Sequence, residues 1–200
     1  MIDWLRALLL TFVPLFIVID AFGNLPFVIA LSEDMSSRER RKMIHVAMLT
    51  AAVVGLAFLF FGKFILDVMG VSVGAFAIAG GLILLALSVR YVMTGRMVDA
   101  VKEEVVAVVP IGTPLTVGPA TIAALLLLAT QFSLPVVVVA FGLNLLVAWV
   151  IFLLGDWFAR LLGQGGLKAI SKVFSLLLAA IAVTMILHGL GLLGIVKLAA

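Results

Sequence analysis

The chain has 200 residues, of which 66% are hydrophobic and 12% are charged, and its formal net charge is +3. Soluble domains are about half apolar and about a quarter charged, so this composition argues against a soluble enzyme, a nucleic-acid-binding protein and a disordered protein. The absence of cysteine excludes disulfides, cysteine-ligated zinc and thiol catalysis. In a chain this apolar, the basic residues mark membrane topology, and no nucleic-acid partner is expected.

Six apolar stretches predict an all-α integral membrane protein with six transmembrane helices. A transmembrane helix takes about 20 residues, so six helices leave no room for a bulky extramembrane domain. Strand-like alternation is absent from the sequence, which argues against an outer-membrane barrel. The predicted spans are Leu5–Leu31, Ile44–Phe61, Val71–Val92, Val105–Thr130, Leu134–Leu154 and Val173–Val196.

The basic residues are distributed unequally between the two sides of the membrane. Three of the 13, Arg6, Lys63 and Lys197, fall on the side that holds both termini. The other ten fall in the first, third and fifth loops. Cytoplasmic loops carry an excess of lysine and arginine, so both termini are predicted to lie outside.

The two halves of the sequence resemble each other at an offset of 93 residues. We interpret residues 1–200 as one membrane domain with a three-helix repeat at 1–95 and a second at 105–200. An odd number of spans in each half inverts the second repeat relative to the first, as in many secondary transporters. The paired residues are Pro26 with Pro119, Gly62 with Gly155, Gly70 with Gly163 and, after about five extra residues, Phe76 with Phe174.

The first helix of each half carries residues that interrupt helices. The segments are Asp20–Pro26 in span one and Pro110–Thr121 in span four. Proline removes a backbone donor, and glycine weakens a helix interior. Both segments are therefore predicted to be unwound or re-entrant, and to face each other at the repeat interface, where transporters bind substrate. The candidate substrate-binding residues are Asp20, Gly23, Asn24, Pro26, Thr113, Pro114, Thr116, Gly118, Pro119, Thr121 and Asn144.

Three features in the spans leave alternatives open. Asp20 is the one acid deep inside a predicted span, and it is either a site for a coupling ion, proton or substrate ammonium, or a helix-capping carboxylate. Asn144, in the middle of span five, either bonds to another helix or contacts the solute. The small residues of span three are predicted to permit close helix packing. They are Gly70, Gly74, Ala77 and Gly81.

Familiar catalytic and nucleotide-binding motifs are absent from the sequence. It contains no HExxH, GxSxG or Walker motif and no metal-ligand spacing of histidine and acidic residues. No cofactor is expected, and transport without an ATP site would use coupling to H⁺ or Na⁺ or a separate motor.

The two interrupted segments resemble those of the MarC family of bacterial and archaeal inner-membrane proteins, within the LysE-type transporter superfamily. Asp20–Pro26 is similar to the family's DPxGxxP motif, although Ala21 occupies the usual proline position. The segment from Pro110 to Pro119 is similar to the family's P-x-x-x-P-x-x-x-GP pattern and keeps its central proline at Pro114. Because of Ala21, we expect the first break to be milder than in relatives.

The resemblance implies a multi-pass protein of the prokaryotic cytoplasmic (inner) membrane. It also implies transport of small neutral amino acids such as glycine, alanine, serine and threonine, and superfamily members are often exporters. The competing interpretations are a drug or solute efflux protein, or a passive channel, on the same scaffold. An intramembrane enzyme or an assembly factor is less favoured because catalytic clusters are missing. The bilayer and a small amino acid are the expected partners, and six helices with a large lipid-facing perimeter are compatible with a homo-oligomer.

Overall fold

The computed structural model describes residues 2–32, 35–94 and 116–196. Within these ranges the backbone is helical, without strands, and forms seven helices. They are α1 (Ile2–Ile19), α2 (Ala21–Leu31), α3 (Ser37–Val68), α4 (Val73–Thr94), α5 (Pro119–Gln131), α6 (Leu134–Leu153) and α7 (Gly155–Leu192).

Five helical stretches of the described chain are long and apolar enough to cross a membrane. They are Asp3–Leu25, Ser37–Val68, Val73–Arg90, Leu134–Leu153 and Lys172–Leu192. The all-helical membrane class is therefore confirmed, and five of the predicted spans coincide with these stretches. Of the predicted fourth span, the structure describes only the last part, including the 13-residue α5. Residues 105–115 lie outside the described ranges, so the fourth span stays a prediction.

Helix α3 is longer than the predicted second span. Ser36 and Glu39 form a capping box in which Ser36 N donates to Glu39 Oε2 at 2.9 Å and Glu39 N donates to Ser36 Oγ at 3.3 Å. The helix passes through Gly62 and ends at Val68. The chain then turns at Gly70, which has a φ of +69°, and Val71 N donates to Leu66 O at 2.8 Å. Its 32 residues span about 48 Å, against about 30 Å for the hydrocarbon core, so its charged first turns extend beyond the bilayer core.

Helix α7 contains one sharp interruption. Gly163 has φ 61° and ψ 174°, which divides the 38-residue helix into a short first segment and a long second segment. Positive φ is accessible to glycine without a steric penalty. The kink separates a segment beginning at Gly155 from the span that crosses the membrane after Lys172.

The main helix contacts join the first four helices to the last three. The most extensive contact is between α4 and α7. Helices α1 and α2 pack against α6 and α7, α3 packs against α5 and α6, and α4 also packs against α5. The helices of each half therefore bury their faces chiefly on helices of the other half.

Small residues bring α4 and α7 close together. A methyl group at Gly74 would lie 2.8 Å from Gly189 O, and one at Gly81 would lie 2.8 Å from Ala182 O. Ala77, between them, is 1% exposed. Close packing is thus confirmed for these three small residues. Gly70 instead follows the end of α3, and a methyl group there would meet no atom within 4 Å.

Replacing Gly81 by valine is expected to lower the free energy of unfolding by about 1–3 kcal/mol, the usual cost of overpacking. The added side chain would press on the backbone carbonyl of Ala182, which cannot move without shifting α7. Thermal unfolding of the purified protein in detergent measures the loss. Gly142→Val on α6 is the matched control because a methyl group there meets no atom within 4 Å. An equal loss in both variants would contradict the packing argument.

Candidate functional site

The first helix break consists of one residue. Asp20 separates α1 from α2, is 1% exposed and has a φ of +44°. Backbone hydrogen bonds enclose it on both sides, from Asp20 N to Phe16 O at 3.1 Å and from Asn24 N to Asp20 O at 3.0 Å. The break is therefore milder than the unwound segment predicted, because aspartate tolerates the left-handed region and the helix resumes immediately after it.

The two carboxylate oxygens of Asp20 have different surroundings. Gly23 N donates to Oδ1 at 3.0 Å, which caps the start of α2. Oδ2 is buried and has no hydrogen-bond partner in the described part of the chain. The capping arrangement suggested by the sequence is present, and it occupies only one of the two oxygens.

Asn24 and Gly23 complete the first break. Asn24 is 8% exposed, and its Nδ2 donates to Ile19 O at 3.0 Å, which satisfies a carbonyl at the end of α1. A methyl group at Gly23 would overlap Asp20 Oδ2 and lie 2.6 Å from Asp20 Cγ. Position 23 therefore has room only for glycine while the Asp20 carboxylate keeps its place.

The second break leads into α5. Thr116 and Thr121 are 1% and 3% exposed, and Thr121 Oγ1 donates to Thr116 O at 3.2 Å. Gly118 is the N-cap residue of α5, without a side-chain cap, and Ile122 N donates to its carbonyl at 3.1 Å. Because α1 packs against α5, the two breaks lie on neighbouring elements.

The remaining predicted site residues fall into two groups. Pro26 lies within α2, and Pro119 is the first residue of α5, where a missing amide donor costs nothing. Thr113 and Pro114 lie outside the described residues. The structure thus groups Asp20 with its two neighbours on one segment, and the two described threonines on the other.

Asn144 connects α6 to α1. Its Nδ2 donates to Phe12 O at 3.1 Å and to Ala140 O at 2.9 Å, while its Oδ1 is buried without a partner in the described chain. Phe12 lies eight residues before Asp20, which is about 12 Å along a helix axis. The contact is therefore the helix-to-helix bond considered from the sequence, placed away from the break.

Replacing Asn144 by leucine is expected to lower the free energy of unfolding by roughly 0.6–1.7 kcal/mol, the range for interhelical polar contacts in membranes. Thermal unfolding of the purified protein in detergent measures the loss. Val147→Leu, also on α6, controls for added leucine volume. Unchanged stability in Asn144→Leu would contradict a structural role for the contact with Phe12.

An aromatic cluster that sequence reasoning missed includes Phe16 and Phe22, which flank the first break in sequence. Phe22 packs edge-to-face with Phe158 and with Phe174, and the ring centroids are 5.5 Å and 6.3 Å apart. Phe174 also packs edge-to-face with Phe16, with 5.7 Å between the ring centroids. The kink of α7 lies between Phe158 and Phe174 and lets both rings reach α2. Ser175, next to Phe174, is fully buried. Only the alignment of Phe76 with Phe174 signalled one of these positions.

A single ion pair among the described residues ties α3 to α7. Arg40 Nη1 donates to both Asp156 oxygens at 2.6 Å. The Arg40 side chain is 15% exposed, whereas that of Asp156 is 62% exposed. The pair lies beside Gly155, where a methyl group would be 2.8 Å from Arg40 Nη2 and 2.9 Å from Leu25 Cδ1. The pair positions the first turn of α7 against α3.

Comparison with known proteins gives a consistent picture. A family model described as MarC family integral membrane protein matches residues 5–193. The chain is 30% identical over 198 residues to a UPF0056 membrane protein of Methanocaldococcus jannaschii, covering 93% of this chain and 97% of the relative. It is 31% identical over 183 residues to the UPF0056 inner membrane protein YhgN of Escherichia coli, covering 88% and 92%. No solved structure matches the chain.

Proposed function

We propose that this chain, which belongs to the MarC family of integral membrane proteins, is a secondary transporter of small neutral amino acids such as glycine, alanine, serine and threonine. Its site lies between two inverted three-helix repeats, and alternating access exposes that site to either side in turn. The protein resides in the prokaryotic inner membrane with both termini outside, and export is the direction favoured by the superfamily resemblance. The similarity to the inner membrane protein YhgN supports this location.

Two pairs of aligned glycines support the inverted repeat. Gly70 and Gly163 both adopt the left-handed conformation, with φ of +69° and +61°. Methyl groups at Gly62 and Gly155 would contact side chains of α5 and α2, respectively, the short helices that follow the two breaks. One aligned pair thus shares a positive φ and the other shares close packing on the opposite half, and both similarities support the proposed repeat.

The observation that carries the proposal is the buried break at Asp20 beside α5. A carboxylate within an apolar span costs on the order of 3 kcal/mol on insertion scales, and such residues usually have a function. Interrupted helices at corresponding positions of two halves are typical of transporter binding sites. Here the break holds a left-handed Asp20 and a buried Asn24, and α1, which ends at the break, packs against α5, the helix that contains Thr121.

The polar groups at the two breaks suit a small zwitterion. Hydroxyls of Thr116 and Thr121, backbone carbonyls and the amide of Asn24 supply ligands for an ammonium group. The N-terminus of α5 at Gly118 lacks a side-chain cap and carries the positive end of a helix dipole, which suits a carboxylate. The rings of Phe16 and Phe22 flank the break in sequence and both pack against Phe174, which favours a substrate with a small side chain over a large drug.

Drug efflux and passive permeation are the main alternatives on this scaffold. A drug-efflux protein would need a wide apolar cavity, and a channel would let solute pass without exchange. An enzymatic function has less support, because the described residues contain no group of three histidine, cysteine or acidic side chains arranged to hold a metal ion.

Counterflow in proteoliposomes tests the proposal. Vesicles are loaded with unlabelled glycine, alanine or threonine and diluted into a trace of the labelled amino acid. A transporter accumulates label transiently because internal substrate drives exchange, whereas a channel only equilibrates it. We expect accumulation that protein-free vesicles do not give, unchanged by added drug-like cations. No counterflow with any small amino acid would reject the proposed function.

A further inference from the structure

The two oxygens of the Asp20 carboxylate are not equivalent in the folded protein. Oδ1 accepts a hydrogen bond from Gly23 N, and this bond fixes the start of α2. Oδ2 is buried, lies over Gly23 and has no hydrogen-bond partner in the described part of the chain. The capping role therefore explains only one oxygen and leaves the second available for another ligand.

In the described part of the chain, no basic side chain is fully buried on the helices that pack against this break. Helices α5 and α6 contain no titratable residue. On α7, Asp156, Arg160 and Lys172 are exposed and His188 is half-buried near its far end, while the side chain of Lys168 is not described. Arg40 on α3 is already paired with Asp156. An ionised Oδ2 would thus be a buried charge without compensation, which is costly.

A proton fits this environment better than a metal cation. Metal ions such as Ca²⁺ and Mg²⁺ require six or more oxygen ligands, and no cluster of acidic side chains surrounds Asp20 among the described residues. A proton needs one oxygen, and the O–H bond neutralises the carboxylate without moving Oδ1 from its cap. The single free oxygen therefore matches a single proton.

We infer that Asp20 is the proton-coupling residue of this transporter, with Oδ1 holding α2 in place and Oδ2 binding one proton per transport cycle. The inference rests on the proposed function and specifies its energy source. The proton is taken up at Oδ2 from water on one side and released to water on the other. The neutral carboxyl is the stable form while this residue stays buried.

The test compares two modes of transport in the same proteoliposomes. Counterflow requires only exchange, whereas net accumulation of labelled alanine under an imposed pH gradient requires proton coupling. Asp20→Asn keeps an oxygen for the Gly23 bond but cannot release a proton. We expect Asp20→Asn to lose pH-driven accumulation, down to the level of protein-free vesicles, and to lose it by a larger factor than it loses counterflow. Asp67→Asn, which changes an exposed acid at the end of α3 in the same way, should keep both.

Three results would overturn the inference. Asp20→Asn could keep full pH-driven accumulation, the wild type could respond only to a sodium gradient, or the wild type could show counterflow that no pH gradient drives. In each case counterflow in the wild type would leave the proposed function intact. Absence of counterflow in the wild type is the separate failure of that function.

A spectroscopic measurement keeps the inference testable if Asp20→Asn folds poorly. Infrared difference spectra between acidic and alkaline buffer should contain a carboxylic-acid C=O band from a buried group. The band should persist in Asp67→Asn and disappear in Asp20→Ser, which retains an oxygen acceptor but has no carboxyl group. A wild-type spectrum without such a band would contradict proton binding at Oδ2.

Discussion

Replacing Gly23 by alanine is expected to abolish coupled transport and to destabilise the protein strongly. The new methyl group would overlap the Asp20 carboxylate, so the carboxylate must leave its position above α2. Overpacking costs about 1–3 kcal/mol and loss of a helix cap about 0.5–2 kcal/mol. Because both effects fall on one buried residue, we expect this to be the most damaging methyl substitution in the break.

A double-mutant cycle checks the cause of that loss. Thermal unfolding and counterflow are measured for Gly23→Ala, Asp20→Ser and the combination. The serine side chain is shorter than the carboxylate, so the alanine should cost less stability in the serine background than in the wild type. Gly142→Ala on α6 supplies the control for a helical glycine with free space around it. Equal losses in both backgrounds would mean that the overlap with Asp20 is not responsible.

Single cysteines at Ser36 and Gly194 are expected to be labelled from opposite sides of the membrane. The sequence contains no cysteine, so each variant carries one reactive thiol, and both positions are exposed. The excess of lysine and arginine places Ser36, before the basic first turns of α3, in the cytoplasm and Gly194, after α7, outside. The expected difference in labelling is nearly all-or-none because the bilayer core blocks a charged reagent.

Intact cells and inside-out vesicles provide the measurement for these cysteines. A membrane-impermeant maleimide should label the Gly194 variant in intact cells and the Ser36 variant only in inside-out vesicles. Detergent-solubilised protein should label at both positions, which controls for thiol reactivity. Labelling of both cysteines from the same side would contradict an odd number of spans between 36 and 194, and with it the inverted repeat.

The sequence predicted the position of the first break but not its form. Glycine and proline after Asp20 marked a weak helix, and the departure at Ala21 from the family motif suggested a mild interruption. That a single left-handed aspartate would replace an unwound segment depends on its carboxylate reaching Gly23 N, a local geometry that composition does not contain. Similarly, the second span was predicted to end at Phe61, yet α3 continues through Gly62, since an interior glycine costs a helix only about 1 kcal/mol.

Long-range partners were the least predictable part of the site. Small residues at Gly74 and Gly81 indicated close packing, but the identity of α7 as the partner helix depends on tertiary structure. The rings of Phe158 and Phe174 are 16 positions apart, and only the kink of α7 between them lets both contact Phe22. The spacing of residues within one helix does not predict which residues of another helix they contact.

The interlaced contacts between the two halves have a consequence for biogenesis. During synthesis the first four helices enter the membrane before any of the last three, yet their main packing partners lie among the last three. The surface of α4 that contains Gly74, Ala77 and Gly81 must therefore remain covered by lipid until α7 is inserted. Folding of the nascent chain can finish only when its final span arrives, so a fragment truncated before α7 should behave as an immature membrane protein, recognised by quality-control proteases despite the four long, apolar spans of its described part.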